Sequence, residues 1–142
     1  MTERDEAFID TGFFVALAHI DDRHHAPART LHRGLQARGT RRVTTEFVLI
    51  ELGDSLSRLR QRAAAQSIIE AVVQEPTIEI VPATSEWFIF GWELYIRRPD
   101  KEWGLTDCIS FEVMRRRGIT LALTVDRHFV QAGFDAPLLA ET

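Results

Sequence analysis

Trp103-Gly104-Leu105-Thr106-Asp107-Cys108-Ile109-Ser110-Phe111-Glu112-Val113-Met114-Arg115-Arg116-Arg117-Gly118, followed by Ile119-Thr120-Leu121-Ala122-Leu123-Thr124-Val125-Asp126, is the stretch that decides the fold. Its first half reads as a helix with Thr106 as N-cap, Asp107 in the first turn, an apolar surface of Ile109, Phe111, Val113 and Met114, and an arginine run before Gly118. Its second half is a buried strand, Leu121 to Val125, ending on Asp126. One acid thus stands where a helix begins and another where a strand stops. Open α/β sheets build their ligand crevices at such positions, and the pair points to a metal site.

Upstream, Ala7-Phe8-Ile9 forms a short apolar strand that ends at Asp10, and Thr11-Gly12 turns the chain into a helix from Phe13 to Ala18. A polar loop, His19 to His25, precedes a helix marked by Ala28, Leu31 and Leu35, with Pro27 in its first turn and Gly39 at its end. The strand Arg42 to Thr44 leads through Thr45 as N-cap into a helix whose buried side is Phe47, Val48, Leu52, Leu56 and Leu59. Glu51 lies on that helix. A second helix, about Gln61 to Gln74, precedes the strand Ile78 to Val81, and Thr84 or Ser85 caps an aromatic-rich helix that stops before Pro99. After Asp126, Arg127 to Ala132 reads as a short helix and Phe134 to Leu139 as a last edge strand. Strands alternating with helices imply an α/β sandwich with a parallel sheet.

Size and charge narrow the function. The 142 residues, 45% of them hydrophobic, suffice for one domain, 1–142, with a sizeable core. A net charge of −4 argues against nucleic-acid binding through a global positive field but allows a local basic patch. Arg41, Arg42, Arg97, Arg98 and Arg127 are the candidates for such a rim. The single cysteine, Cys108, excludes an internal disulfide and a cysteine zinc site, and suits a reducing cytoplasm. The polar start Thr2-Glu3-Arg4-Asp5-Glu6 lacks the form of a signal peptide, and no apolar run nears membrane-spanning length. A soluble, untargeted domain is expected.

Asp10, Asp107 and Asp126 can then meet at the carboxyl edge of the sheet, with Glu51 reaching in from its helix. Carboxylates a few ångströms apart raise one another's pKa unless cations neutralise them. Four acids without a histidine or cysteine partner call for a hard divalent ion, Mg²⁺ or Mn²⁺. One or two such ions suit phosphodiester hydrolysis. Each acid has a plainer reading: Asp107 as a first-turn helix acid, Asp10 as a turn residue, Asp126 as a cap, Glu51 as a partner of Ser55 or Arg58. The conjunction favours the ion. The neighbours Asp21, Asp22, His24 and His25 read as a solvated loop, His128 as structural or exposed, and Glu112 as a partner of Arg115 or Arg116. Trp103 reads as buried or as a base-stacking platform. Trp87, Phe88, Phe90, Trp92 and Tyr95 are too many for one buried face, which leaves part of them for a protein partner. A receiver-type phosphoacceptor is excluded because Asp10 has no adjacent acid and the only lysine, Lys101, precedes the Asp107 helix. An Asp-x-Asp phosphohydrolase is excluded by Gly12.

Phe8-Ile9-Asp10-Thr11, Thr44 to Glu51, Leu105 to Phe111 and Leu123-Thr124-Val125-Asp126-Arg127-His128-Phe129 resemble the four motifs of the PIN-domain ribonucleases, and within them the VapC-like toxins of toxin–antitoxin pairs. The likeness spans nearly the whole chain. It implies a three-layer α/β/α domain, Mg²⁺-dependent endoribonuclease activity, homodimers and a cognate antitoxin that enters the acidic groove. Position by position it makes Asp10, Glu51, Asp107 and Asp126 the acidic quartet, with Thr11, Thr106 and Ser110 in support. Family members often carry another acid shortly after the fourth, where this chain has Arg127, His128 and Phe129. A PIN-like module without catalysis is the alternative.

Overall fold

The computed structural model describes residues 5–140, and the Thr2-Glu3-Arg4 part of the polar start lies outside them. Four parallel strands, β1 (Glu6–Ile9), β2 (Arg41–Thr45), β3 (Ile78–Val81) and β4 (Leu121–Leu123), form one sheet in the order β3-β2-β1-β4. Ala7, Phe8 and Ile9 of β1 are all fully buried, although alternate residues face opposite sides. Both faces of the sheet are therefore covered, as parallel sheets require. The result is the three-layer α/β/α sandwich.

The strands are joined by α1 (Thr11–Ala18), α2 (His25–Ala37), α3 (Glu46–Ser55), α4 (Arg62–Gln74), α5 (Ser85–Arg97) and α6 (Leu105–Arg117). Short helices α7 (His128–Gln131) and α8 (Pro137–Ala140) follow β4. Thr45 caps α3 by accepting the Val48 N–H at 3.1 Å, and Thr84 caps α5 by accepting that of Trp87 at 3.3 Å. His25 opens α2 with Nδ1 2.8 Å from the Ala16 carbonyl, so it serves the loop structurally. Gly118, at φ 69°, ends α6 in the left-handed region, and Ile119 N–H returns to the Met114 carbonyl at 2.9 Å.

Several boundaries differ from the sequence reading: α1 already begins at Thr11, within the expected turn. The helix of Glu51 ends at Ser55, whose hydroxyl bonds the Leu52 carbonyl at 2.9 Å, which leaves Leu56 buried but Leu59 exposed. Strand β4 stops at Leu123 because the Thr124 hydroxyl takes the Asp126 N–H at 3.0 Å and turns the chain. The expected edge strand Phe134 to Leu139 is one parallel bridge, Leu121 to Asp135, and then a helix. Pro137 has no N–H to extend a ladder and suits a helix's first position.

All strands point the same way, so Ile9, Thr45, Val81 and Leu123 end on one edge. At the other edge Arg117 grips Glu79 with two bonds, 2.6 and 2.9 Å, and reaches Glu6 at 3.3 Å. Arg41 adds to this group at 3.6 Å from Glu79. Arg42 is 1% exposed and donates to the Thr77 hydroxyl. Arg41 and Arg42 thus lie at the strand starts, away from the acids, and leave the candidate basic rim. Arg98 pairs with Asp100 and lies over the Trp103 ring, and Arg127 is exposed beside Asp126.

Helices α5 and α6 pack at Gly91, where an added Cβ would stand 2.2 Å from Ile109 Cγ1 and 2.9 Å from the Ile109 backbone. Backbone does not yield, so overpacking of about 1–3 kcal/mol outweighs the gain in helix propensity, about 1 kcal/mol. In denaturant titrations Gly91→Ala should lower the unfolding free energy by roughly that difference or more. Gly34→Ala in α2, where the new Cβ meets only Arg38 Nη1 at 3.9 Å, should instead raise it by up to about 1 kcal/mol.

Candidate active site

The chain crosses from β1 to β2 on one side and from α6 to β4 on the other, so the carboxyl ends of β1 and β4 flank the sheet's switch point. Asp10 follows β1 and Asp126 follows β4 by three residues. Glu51 comes from α3 and Asp107 from the first turn of α6. The four acids arrive from four separate elements. Asp10 interacts electrostatically with Asp107 and Glu51, and Asp107 with Asp126 and Glu51.

Hydroxyls hold these carboxylates. Thr11 donates to Glu51 Oε1 at 2.7 Å, which fixes the α3 acid against the start of α1. Thr124 donates to Asp10 Oδ2 at 3.0 Å while its oxygen accepts the Asp126 N–H. One side chain thereby sets both strand-end acids in register. Gly12 presses the α1 start against this turn, since an added Cβ would lie 2.3 Å from Val125 Cγ2.

Thr106 is not the N-cap of α6. Gly104, extended at φ −71° and ψ 164°, is the cap, and the Asp107 carboxylate reaches back to accept its N–H at 3.1 Å. The helix begins one turn's fraction earlier because the acid itself satisfies the free N–H. Thr106 makes no side-chain hydrogen bond, and Ser110 is fully buried with its hydroxyl unpartnered among the described residues. Neither touches a carboxylate through a hydrogen bond. Trp103 is buried, not a stacking platform: it packs edge-on against Phe111 at 5.1 Å and donates to Gln131 at 3.1 Å. Glu112 faces away from the acids and pairs with Arg115 at 2.8 Å and Arg116 at 3.4 Å.

Two residues escaped the sequence reading. Thr124 carries the bonds just described. His128, read as structural or exposed, brings Nδ1 to 3.3 Å from both Asp107 Oδ2 and Asp126 Oδ1. The acids therefore do have a histidine partner. The available signal was the Thr-x-Asp-x-His spacing across a strand end, where a tight turn returns alternate residues to one side. The turn is closed by the His128 N–H on Asp126 Oδ1 at 2.9 Å.

The donor set fits a divalent cation. Asp107, Asp126 and His128 each offer a ligand atom, and the three atoms lie within 4.8 Å of one another. Asp10 is 4% exposed and its Oδ1 has no hydrogen-bond partner among the described residues, an arrangement that leaves a buried carboxylate oxygen to be satisfied. Burial, reinforced by Asp107 and Glu51, lifts the Asp10 pKa to about 7 against the Thr124 hydrogen bond and the lowering influence of the nearby Thr11 N–H. Burial and the Asp126 charge also raise Asp107.

A PIN-domain family model matches residues 7–135. The chain belongs to the PIN-domain family. It is 28% identical over 129 residues to the 23S rRNA-specific endonuclease VapC20 of Mycobacterium tuberculosis, covering 89% of this PIN chain and 94% of that one. The crystal structure of M. tuberculosis VapC20, described as a Sarcin-Ricin loop cleaving toxin, superposes with a TM-score of 0.78 at 29% identity, over 91% of this chain and 96% of that chain. VapBC2 of Rickettsia felis, bound to a DNA fragment from its promoter, shares the fold with a TM-score of 0.65 at 14% identity, over 90% and 93% of the two chains. Among the described residues of this PIN domain no helix is long and apolar enough to cross a membrane.

Because folding raises the Asp10 pKa from 3.8 to about 7, this group's contribution to stability is full below about pH 4 and is lost as pH rises through 7. In EDTA the melting temperature should fall between pH 5 and pH 8. Asp10→Asn should remove the larger part of that fall. Equal slopes for the two proteins would show that the buried carboxyl does not govern it.

Proposed function

We propose that this PIN-domain protein is a metal-dependent endoribonuclease, the toxin of a toxin–antitoxin pair, acting in the cytoplasm on a loop or junction of a structured cellular RNA. The observation that carries the reading is the meeting of Asp10, Glu51, Asp107 and Asp126 at the switch point, with a buried carboxylate oxygen left unpartnered. The likeness to VapC20, named for cleavage of 23S rRNA, supports an RNA substrate and makes ribosomal RNA the first to test.

Asp10, Glu51, Asp107 and Asp126 would hold Mg²⁺ or Mn²⁺. A cation bound there polarises a phosphoryl oxygen and acidifies a water for attack. Thr11 and Thr124 keep Glu51 and Asp10 from turning away, so the carboxylates need little reorganisation. Thr106 and Ser110 are assigned supporting places near Asp107, without a hydrogen bond to it in this conformation. Water as nucleophile leaves 5′-phosphate and 3′-hydroxyl ends. Phe88, Ile89, Trp92, Tyr95 and Ile96 expose an apolar face on α5, the surface this reading gives to protein partners: a second copy in a homodimer, and the antitoxin.

The test is cleavage of total and ribosomal RNA by protein freed of antitoxin. Cleavage should require Mg²⁺ or Mn²⁺, stop in EDTA, and fall on the order of 10²–10³-fold in Asp10→Asn and Asp107→Asn, the equivalent of several kcal/mol of transition-state stabilisation. RNA that stays intact with either ion would instead favour the non-catalytic binding module.

A further inference from the structure

The turn after β4 gives the acidic cluster a nitrogen. His128 opens α7 two residues after Asp126, and its backbone N–H, bonded to Asp126 Oδ1, folds the imidazole back over the two aspartates. Nδ1 stands 3.3 Å from Asp107 Oδ2 and 3.3 Å from Asp126 Oδ1. A charge-assisted N–H···O bond to one carboxylate would settle near ~2.7–2.9 Å, whereas Nδ1 is held equally between two. Neighbouring ligands around an octahedral ion with bonds of ~2.1 Å lie about 3.0 Å apart, near the two distances from Nδ1, and all three atoms lie within 4.8 Å of one another. Asp107 Oδ2 is fixed by the Gly104 N–H and Asp126 Oδ1 by the His128 backbone N–H, so both oxygens are positioned without the imidazole. Nε2 of His128 makes no hydrogen bond among the described residues, and the side chain is 29% exposed. The unpartnered Oδ1 of the buried Asp10 belongs to the same group of acids.

We infer that His128 Nδ1 is a metal ligand, completing with Asp107 and Asp126 a mixed oxygen and nitrogen site that selects Mn²⁺ over Mg²⁺. The inference rests on the reading that these acids hold a divalent cation. A fifth carboxylate at position 128, beside Asp10, Glu51, Asp107 and Asp126, would add negative charge and favour hard Mg²⁺. A neutral imidazole adds none, and imidazole binds Mn²⁺ and the later transition ions better than Mg²⁺.

Mn²⁺ binding followed by electron paramagnetic resonance separates the two levels of argument without RNA. Wild-type protein should bind Mn²⁺ and show ¹⁴N coupling in pulsed spectra of the bound ion. His128→Ala, folded by circular dichroism, should lose that coupling and bind Mn²⁺ at least ~10-fold more weakly. His128→Asp should lose the coupling yet keep an ion, with the preference moved toward Mg²⁺ by competition. Bound Mn²⁺ without nitrogen coupling in the wild type, or coupling that survives His128→Ala, overturns the ligand assignment and leaves the carboxylate site standing. No Mn²⁺ binding by the folded wild type overturns both.

Discussion

The rest of this molecule depends on a carboxyl group that ought not to be where it is. Asp10 follows the inner strand β1, almost wholly buried, with Oδ2 bonded to Thr124 and Oδ1 without a hydrogen-bond partner among the described residues. Burying a carboxylate without full hydrogen bonding costs free energy, and two acidic neighbours add to it. The protein meets part of that cost by lifting the Asp10 pKa. Such strain persists where a fold is rigid enough to impose it, and it marks functional sites more often than structural ones.

Rigidity comes from both ends of the sheet. At the strand starts Arg117 ties the last turn of α6 to β1 and β3 through Glu6 and Glu79, and holds Glu79 below the usual carboxylate range. The same helix delivers Asp107 at its other end. Cys108 to Met114 between them are buried, so α6 is a rod through the core whose position is fixed at both termini. Arg117 and Arg41 are paired at the edge remote from the acids, so they do not offset the carboxylates at the other edge. A cation, or a partner's basic side chain, is the complement to that field.

Packing around α6 explains the local sequence choices. Gly91 allows α5 to approach to backbone distance, Gly12 allows the α1 start to press on Val125, and Phe111 joins Trp103, Phe129 and Phe134 in one aromatic cluster beneath the site. The cluster anchors the loop before Gly104 and the helix after Asp126 together. Asp107 and His128 approach each other because the elements that carry them share this support.

The sequence by itself determined the layer architecture and the parallel sheet, because periodicity, caps and chain order are local properties, and its four motifs carried the resemblance to the PIN family. Thr45 and Thr84 are caps, and Asp10, Glu51, Asp107 and Asp126 stand where strand ends and helix turns bring acids to one edge. Only the tertiary structure decided which neighbours those acids keep. Thr106 yielded the cap to Gly104 because Asp107 folded back on its own helix, and Ser110 turned into the core. Arg41 and Arg42 proved to lie at the far edge, a matter of strand direction that residue type does not encode. His128 and Thr124 joined the site through a turn of a few residues, and the side-chain directions within such a turn are set by the packing around it.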